Sequence, residues 1–430
     1  MRLTGVRVFN CFGFGDTEVD LSPEFVCVLG RNSSGKSALL DAISSLAADR
    51  VPQEHRRFEN FRPTDSNPRI RATLATTALP QSLDVIATIT AQIAIRGLPA
   101  SVVAQHFREP FEQITASYTS FLSTLAAERV LTLTKFPDGK CQLSAAEHFD
   151  ASNERRTALD GILKRLAPGG VITTATMRYE NVNINMTAGD LDRVAASLLL
   201  PPVAYFSERY SLTDDVLDYL TIRTVESPPN DVTRALIEVL DEKDLTELLT
   251  SRDPDDQDRL RQAIQGRADD LASRISEDAN RLVRITISPT SSGLQVTLRT
   301  DGKKSFYRHL SDATKFLIAY HIHARRHKPG AILLFDEPSR GLHASAERYL
   351  LQFLERLAAD NHVIISTHSE RLIDLDHLDR IRLMQQDDDD RPVVLNKLRP
   401  PRDRSSYVLA LQPVFDAIGL VTFSPILVHV

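Results

Sequence analysis

The spacing of hydrophobic and polar positions changes several times along this chain of 430 residues. Residues 3–9 (LTGVRVF) and 17–29 (TEVDLSPEFVCVL) alternate or run apolar with β-branched residues, around an intervening FGFGD turn. That pattern predicts strands, the second delivering the chain to Gly30. From Ser37 to Ala48 the period lengthens, and Leu39, Leu40, Ile43 and Leu46 fall at helical spacing. After residue 50 a polar, Arg-rich stretch (EHRRFENFRPTDSNPR) predicts a surface loop. Residues 70–77 and 83–95 have strand character, and 100–128 read as helix with few breakers. VLTLTKF and CQLSA flank Pro137-Asp138-Gly139 and predict a hairpin. Residues 153–166 and 188–199 read as helices, and PPVAYFSERYSL marks a return to a core strand.

From 231 to 281 the pattern is helical and highly charged, without the sustained heptads of an extended coiled-coil arm. LVRITISP and LQVTLRT, joined by TSSG, predict a second hairpin at 282–300. The β/α alternation is clearest after that. AILLFDEP is a buried strand, ASAERYLLQFLERLAA a helix, HVIISTHS another buried strand and RIRLMQQ a shorter one. The acidic run at 387–390 reads as a solvated loop between edge strands. The expected division is therefore 1–95 as one α/β lobe, 96–205 and 206–281 as inserted regions, 282–395 as a second lobe and 396–430 as an extension.

Composition narrows this picture only slightly. A chain of 430 residues exceeds one small core, which favours two units or one domain with a large insertion. The formal charge of −6 argues against a generally basic nucleic-acid coat, but local patches remain compatible with phosphate contacts. Candidates are His55-Arg56-Arg57, Arg325-Arg326-His327-Lys328 and Lys397-Leu398-Arg399 through Arg404, which solvated faces explain equally well. None is interleaved with aromatics for base stacking. Cys11, Cys27 and Cys141 are far apart and form no CxxC pair, as expected of buried or neutral thiols in a reducing compartment. The start MRLTGVRVFN lacks a leader pattern, and no apolar run approaches the roughly 18 residues of a membrane span. A cytoplasmic protein without a membrane partner is expected.

Candidate chemistry lies at three separate places. GRNSSGKS matches G-x-x-x-x-G-K-[ST] at Gly30, Gly35, Lys36 and Ser37, between an apolar strand and a helix. In such a loop the backbone of Gly30, Asn32, Ser33, Ser34, Gly35 and Ala38 would surround phosphate oxygens at a helix N-terminus. Lys36 would reach the β and γ phosphates of ATP, and Ser37 would ligate Mg²⁺. Almost 300 residues later, Ile332-Leu333-Leu334-Phe335-Asp336-Glu337 is an apolar strand ending in two carboxylates. There Asp336 would help hold Mg²⁺ and Glu337 would face the attacking water. VIISTHS is another buried strand, with His368 at its end to contact the γ-phosphate or that water.

Together these motifs resemble the head ATPases of the ABC class, on the chromosome-maintenance and RecF side of that class. "VRVFNCFGFGDTEVDL", "DEPSRGLHASAERYLLQFLERLA" and "VIISTHSERLID" resemble more closely the ATPase half of the overcoming-lysogenization-defect (OLD) family. The resemblance spans residues 1–45 and 305–385. It implies an α/β, ABC-type P-loop ATPase head with a mixed sheet core and a large, mainly helical insertion. It further implies Glu337 as general base, His368 as switch histidine, and Ser339 and Arg340 in a loop touching a partner subunit. A homodimer or higher homo-oligomer formed on ATP, association with DNA, and control of a nuclease or other effector follow from the same likeness, in phage defence or DNA repair.

Two features depart from the family pattern. The signature loop of ABC ATPases corresponds here to HLSDATKFLIAYH, where Ser311 remains as a contact in trans but Asp312 and Ala313 replace the usual Gly. The metal-sensing glutamine is unassigned among Gln53, Gln81 and Gln92. The Toprim nuclease domain of OLD proteins is represented only by an entry-like strand in Ala417-Ile418-Gly419-Leu420 and FSPILVHV, so no intrinsic nuclease activity is expected. Two alternatives stand beside the ATPase switch: a transporter's nucleotide-binding subunit, and a module that holds ATP without hydrolysing it.

Overall fold

A computed structural model describes residues 2–48, 69–75, 130–136, 141–145, 175–179, 182–186, 200–206, 219–221, 225–228, 231–279, 282–290, 293–300, 303–305, 318–322, 324, 329–340, 342–374, 376–387, 391–397 and 414. The chain opens with β1 (Arg2–Cys11), β2 (Phe14–Asp20), β3 (Phe25–Gly30) and helix α1 (Lys36–Ser45). Then come β4 (Arg69–Ala75), β5 (Val130–Lys135), β6 (Cys141–Ala145), β7 (Ala175–Tyr179), β8 (Val182–Met186), β9 (Val203–Phe206) and the short β10 (Tyr219–Leu220). Helices α2 (Asp231–Leu240), α3 (Glu242–Thr250) and α4 (Pro254–Ala279) precede β11 (Val283–Thr290), β12 (Gly293–Thr300) and β13 (Lys303–Ser305). The last elements are β14 (Ile332–Asp336), α5 (Ala344–Ala358), β15 (His362–Thr367), β16 (Ile381–Gln386) and β17 (Pro392–Leu395). The described residues fall into two compact units. One is drawn from Met1–Pro23, Gly30–Pro202 and Arg382–Ala417, the other from Glu24–Leu29, Val203–Ile381 and Ile418–Val430.

The first unit is built on an antiparallel sheet in the order β2-β1-β4-β5-β6. Val6, Val8, Ile70, Ala72, Leu74 and Leu133 are buried, as the alternation of one apolar face requires. The β1–β2 turn is tighter than FGFGD suggested. Cys11 pairs with Phe14, and Phe12 and Gly13 between them both have positive φ, 54° and 84°. A two-residue hairpin demands that conformation because it matches the strand twist. The continuous strand expected over 17–29 is in fact two. Asp20 Oδ1 accepts from the Ser22 N–H at 2.9 Å and from the Ser22 hydroxyl at 2.6 Å, and Pro23 has no N–H to extend a ladder. The expected hairpin around Pro137-Asp138-Gly139 forms as β5 and β6. A further hairpin, β7 and β8, has no counterpart in the sequence reading.

In the second unit β3, β15, β14 and β9 run parallel in that spatial order. Every residue of β3, β14 and β15 is buried, which explains their continuous apolar text. Phe206 stacks on Phe335 with ring centroids 4.4 Å apart, and Tyr320 meets both rings edge-on. A second core lies among α2–α4 and the antiparallel strands β10, β12 and β11, centred on Leu236, Leu245, Ile264, Leu271, Ile285 and Val296. Gln265 fastens α4 to β11, donating to Ile285 O at 2.8 Å and accepting from Ile287 N–H at 3.0 Å. The helical text of 231–281 is therefore three helices. It breaks where Asp241, at φ 77°, caps α3 and where Pro254 opens α4. The hairpin expected at 282–300 is β11–β12.

The strand expected at 83–95 and the helices expected at 100–128, 153–166 and 188–199 lie outside the described residues. So do the basic segments at 55–57, 325–328 and 398–404. No helix among the described residues is long and apolar enough to cross a membrane.

Candidate functional site

The phosphate-loop motif forms a turn that leaves β3 at Gly30 and enters α1 at Lys36. Two of its glycines are required by geometry. A Cβ at Gly30 would fall against Ser34 Oγ and 2.8 Å from Met384 O, and one at Gly35 would lie 2.8 Å from Pro392 Cγ. Gly35 also sits at φ 97°, where an L side chain is strained. Ser33 is left-handed too, at φ 64°, so the backbone curls twice within the loop. The Lys36 ammonium is buried and bends back over the turn, donating to Gly30 O at 2.9 Å and Arg31 O at 3.1 Å. Arg31, Asn32, Ser33 and Ser37 are exposed, and Ala38 is half-buried.

Two observations fit this loop to an anion. Helix α1 starts without a side-chain cap and without an acidic residue in its first turn, so its own leading residues supply no carboxylate to compete for its N–H groups. Among the described residues the buried Ser34 hydroxyl has no hydrogen-bond partner, a costly arrangement unless an acceptor or donor is supplied to it.

The second cluster stands at the C-terminal end of the parallel strands β14 and β15, paired so that Asp336 lies opposite Ser366. Ser366 is wholly buried. Its hydroxyl donates to Asp336 Oδ1 and accepts from the Glu337 N–H at 3.0 Å, while Ser366 O accepts from that same N–H at 3.1 Å. Tyr205, on β9, places its hydroxyl 3.5 Å from Asp336 Oδ2. Glu337 leaves the strand in the left-handed region, at φ 48°, and its Oε2 lies 2.8 Å from His368 Nδ1. The carboxylate is 11 % exposed and the imidazole 51 %, so the pair is buried on the Glu side and open on the His side. Cys27 lies in the adjacent strand, where burial and then the Glu337 carboxylate raise its thiol well above the ordinary range. It is a neutral packing residue, not a nucleophile.

The segment after His368 is itself fastened. Ser369 N–H donates to Thr367 Oγ1 at 3.0 Å, and Ser369 Oγ donates to Glu347 Oε1 at 2.8 Å. Arg371 adds a 3.4 Å bond to Oε2 of Glu347, which is buried in the first turn of α5. Beyond Glu337 a turn closes by Arg340 N–H to Glu337 O at 3.1 Å and Leu342 N–H to Ser339 O at 3.0 Å, with Ser339 buried and Arg340 exposed. Ser311, Gln53, Gln81 and Gln92 lie outside the described residues.

The structure thus brings Asp336, Glu337 and His368 into one cluster, and gathers Gly30 through Ala38 in another. Sequence reasoning missed Ser366 and Tyr205. The available signal was a lone hydroxyl inside an apolar strand, VIIST, where burial without a partner would be costly. Ser37 and Asp336 are hard oxygen donors suited to Mg²⁺, which takes one or two protein oxygens and completes its shell with phosphate and water. Among the described residues no group of three or more His, Cys, Asp or Glu could hold a metal without such help.

Comparisons with known proteins agree with this division. Residues 2–73, which hold the phosphate loop, match a family described as "AAA domain". Residues 194–374, which hold Asp336, Glu337 and His368, match one described as "AAA domain, putative AbiEii toxin, Type IV TA system". The chain therefore carries an ATPase domain of AAA type, split in sequence. Three solved structures align along most of it. A SmcHead bound to the C-winged helix domain of ScpA is 13% identical, covers 92% of this chain and 97% of its own, and has a TM-score of 0.49. The Pyrococcus furiosus Smc head domain with an extended coiled coil, bound to the C-terminal domain of ScpA, is 12% identical over 92% and 96%, with a TM-score of 0.44. The Thermotoga maritima SMC head domain is 12% identical over 92% and 98%, with a TM-score of 0.41. Scores of this size decide neither function nor partners. No curated protein sequence matches the chain.

Proposed function

We propose that this protein hydrolyses ATP with Mg²⁺ and uses the cycle to switch an effector, in the manner of OLD-like, ABC-type ATPases. The observation that carries the proposal is the Glu337–His368 pair, 2.8 Å apart beside Asp336 at the end of a parallel sheet. Leu29, the residue before the phosphate loop, pairs with Thr367, the residue before His368, which supports this reading.

Each residue then has a defined task. Lys36 exchanges its loop carbonyls for the β and γ phosphates, and α1 directs its N-terminal N–H groups at them. Ser37 and Asp336 would hold Mg²⁺, which when bound would neutralise charge on the phosphate oxygens. Glu337 accepts a proton from water as that oxygen bonds to the γ-phosphorus and the bond to the β-phosphate oxygen breaks. His368 steadies the Glu337 carboxylate through Nδ1, and its open side contacts the γ-phosphate or the water. In this scheme Ser311, Ser339 and Arg340 touch the nucleotide of a second copy. DNA and a separate nuclease or toxin are the partners inferred from the OLD likeness, and a family description that names a toxin system supports an effector role.

Glu337→Gln tests the scheme. Nucleotide affinity should persist while turnover falls by about 10²–10⁴, the usual contribution of a general base. Steady-state hydrolysis together with binding of a fluorescent ATP analogue measures both. Turnover near the wild-type rate would remove Glu337 from the role.

A further inference from the structure

Among the described residues, the two buried hydroxyls of β15 have different kinds of partner. Thr367 Oγ1 serves its own chain, accepting from Ser369 N–H at 3.0 Å. Ser366 Oγ instead joins two residues of β14 and its exit, some thirty positions away in sequence, donating to Asp336 Oδ1 and accepting from Glu337 N–H. Its surroundings are Ile364 and Ile365 in a strand buried at every residue, where a hydroxyl without partners would be destabilising.

We propose that Ser366 is a positioning residue for the nucleotide-bound divalent cation and for the general base. Each carboxylate oxygen offers two lone pairs, and the Ser366 bond engages Oδ1. That turns Asp336 so that Oδ2, which among the described residues is approached by the Tyr205 hydroxyl at 3.5 Å, is the oxygen presented to a cation. The same hydroxyl is one of two acceptors for the Glu337 N–H, and together they hold a non-glycine residue at φ 48°. Such a conformation persists only when its surroundings over-determine it. From there the Glu337 side chain meets His368, two residues after Ser366 and just past the end of β15. One hydroxyl therefore sets both the metal carboxylate and the direction of the base. This inference rests on the ATPase reading, which it deepens.

The test compares the full-length wild type with Ser366→Ala. Binding of a fluorescent ATP analogue is measured without metal and across an Mn²⁺ titration, alongside ATP turnover and melting temperature. Metal-free nucleotide binding should match wild type, because Lys36 and the phosphate loop are untouched. Half-saturating Mn²⁺ should rise about 10–100-fold, the usual effect of losing a hydrogen bond to a metal ligand. The kcat should fall by a similar factor with KM for ATP little changed. An unchanged Mn²⁺ titration in folded Ser366→Ala overturns the assignment, as does a parallel loss of metal-free binding. If Ser366→Ala does not fold, Ser366→Cys, close in volume but a weak donor, is read by the same two criteria. A wild type showing no metal-dependent nucleotide binding would overturn the ATPase reading itself, a result distinct from a wild type that binds and a variant that matches it.

Discussion

Gly35 shows how one residue can be fixed by conformation and by space at once. At φ 97° an added Cβ is strained by its own backbone, and Pro392 Cγ would stand 2.8 Å from it. Gly35→Ala should therefore cost about 1–2 kcal/mol for the left-handed backbone alone. If the loop relaxes to avoid that cost, nucleotide affinity should fall by roughly tenfold, because about 1.4 kcal/mol is one decade. Titration with a fluorescent ATP analogue and thermal melting measure the two routes, and a variant unchanged in both would contradict this geometry. At this scale the sequence was informative wherever one residue type has one physical use. Gly30, Gly35 and Lys36 could be singled out because a loop around phosphate needs missing side chains and one cation. Ser366 could not, because a serine in a strand has many uses and its partners are set by register.

At the scale of elements, α1 is held at both ends by different means. Its N-terminus carries the phosphate loop. Its C-terminus is closed by Lys135, a buried residue of β5 whose ammonium donates to Leu46 O at 3.1 Å and also to Ala48 O. A cation there satisfies the last carbonyls and complements the helix dipole. Lys135→Met keeps the aliphatic stem but strips those carbonyls of their donor, so stability should drop by about 1–3 kcal/mol. Chemical denaturation reads this directly, and a variant as stable as wild type would show that the ammonium contributes nothing net. Strand and helix types were largely legible, since periods of two and of 3.6 are written into neighbouring residues. Interruptions were harder to see. The break at Ser22-Pro23 and the helix end at Asp241 depend on side chains that bond to their own backbone, which leaves no mark on the hydrophobic rhythm.

For the whole molecule, the proposed cycle predicts association governed by nucleotide. Glu337→Gln should trap ATP, and its sedimentation coefficient should increase with ATP but not with ADP. A coefficient independent of nucleotide would remove the shared-site role of Ser311, Ser339 and Arg340 while leaving hydrolysis by one chain intact. Arg340, exposed at the end of the turn after Glu337, is the residue best placed to report this.

The sequence by itself determined which chemistry is present: a glycine-bounded loop before a helix, a strand ending in two carboxylates and a strand ending in histidine. Each of these depends on residues close together in the chain. Only the tertiary structure decided that Asp336 stands opposite Ser366 and that Glu337 reaches His368. The register of two parallel strands joined through a helix is set by packing along their whole length, and a shift of one residue would turn every side chain to the other face. Local spacing carries no information about such a shift, so the hydroxyl that orders the candidate site became visible only once the strands were paired.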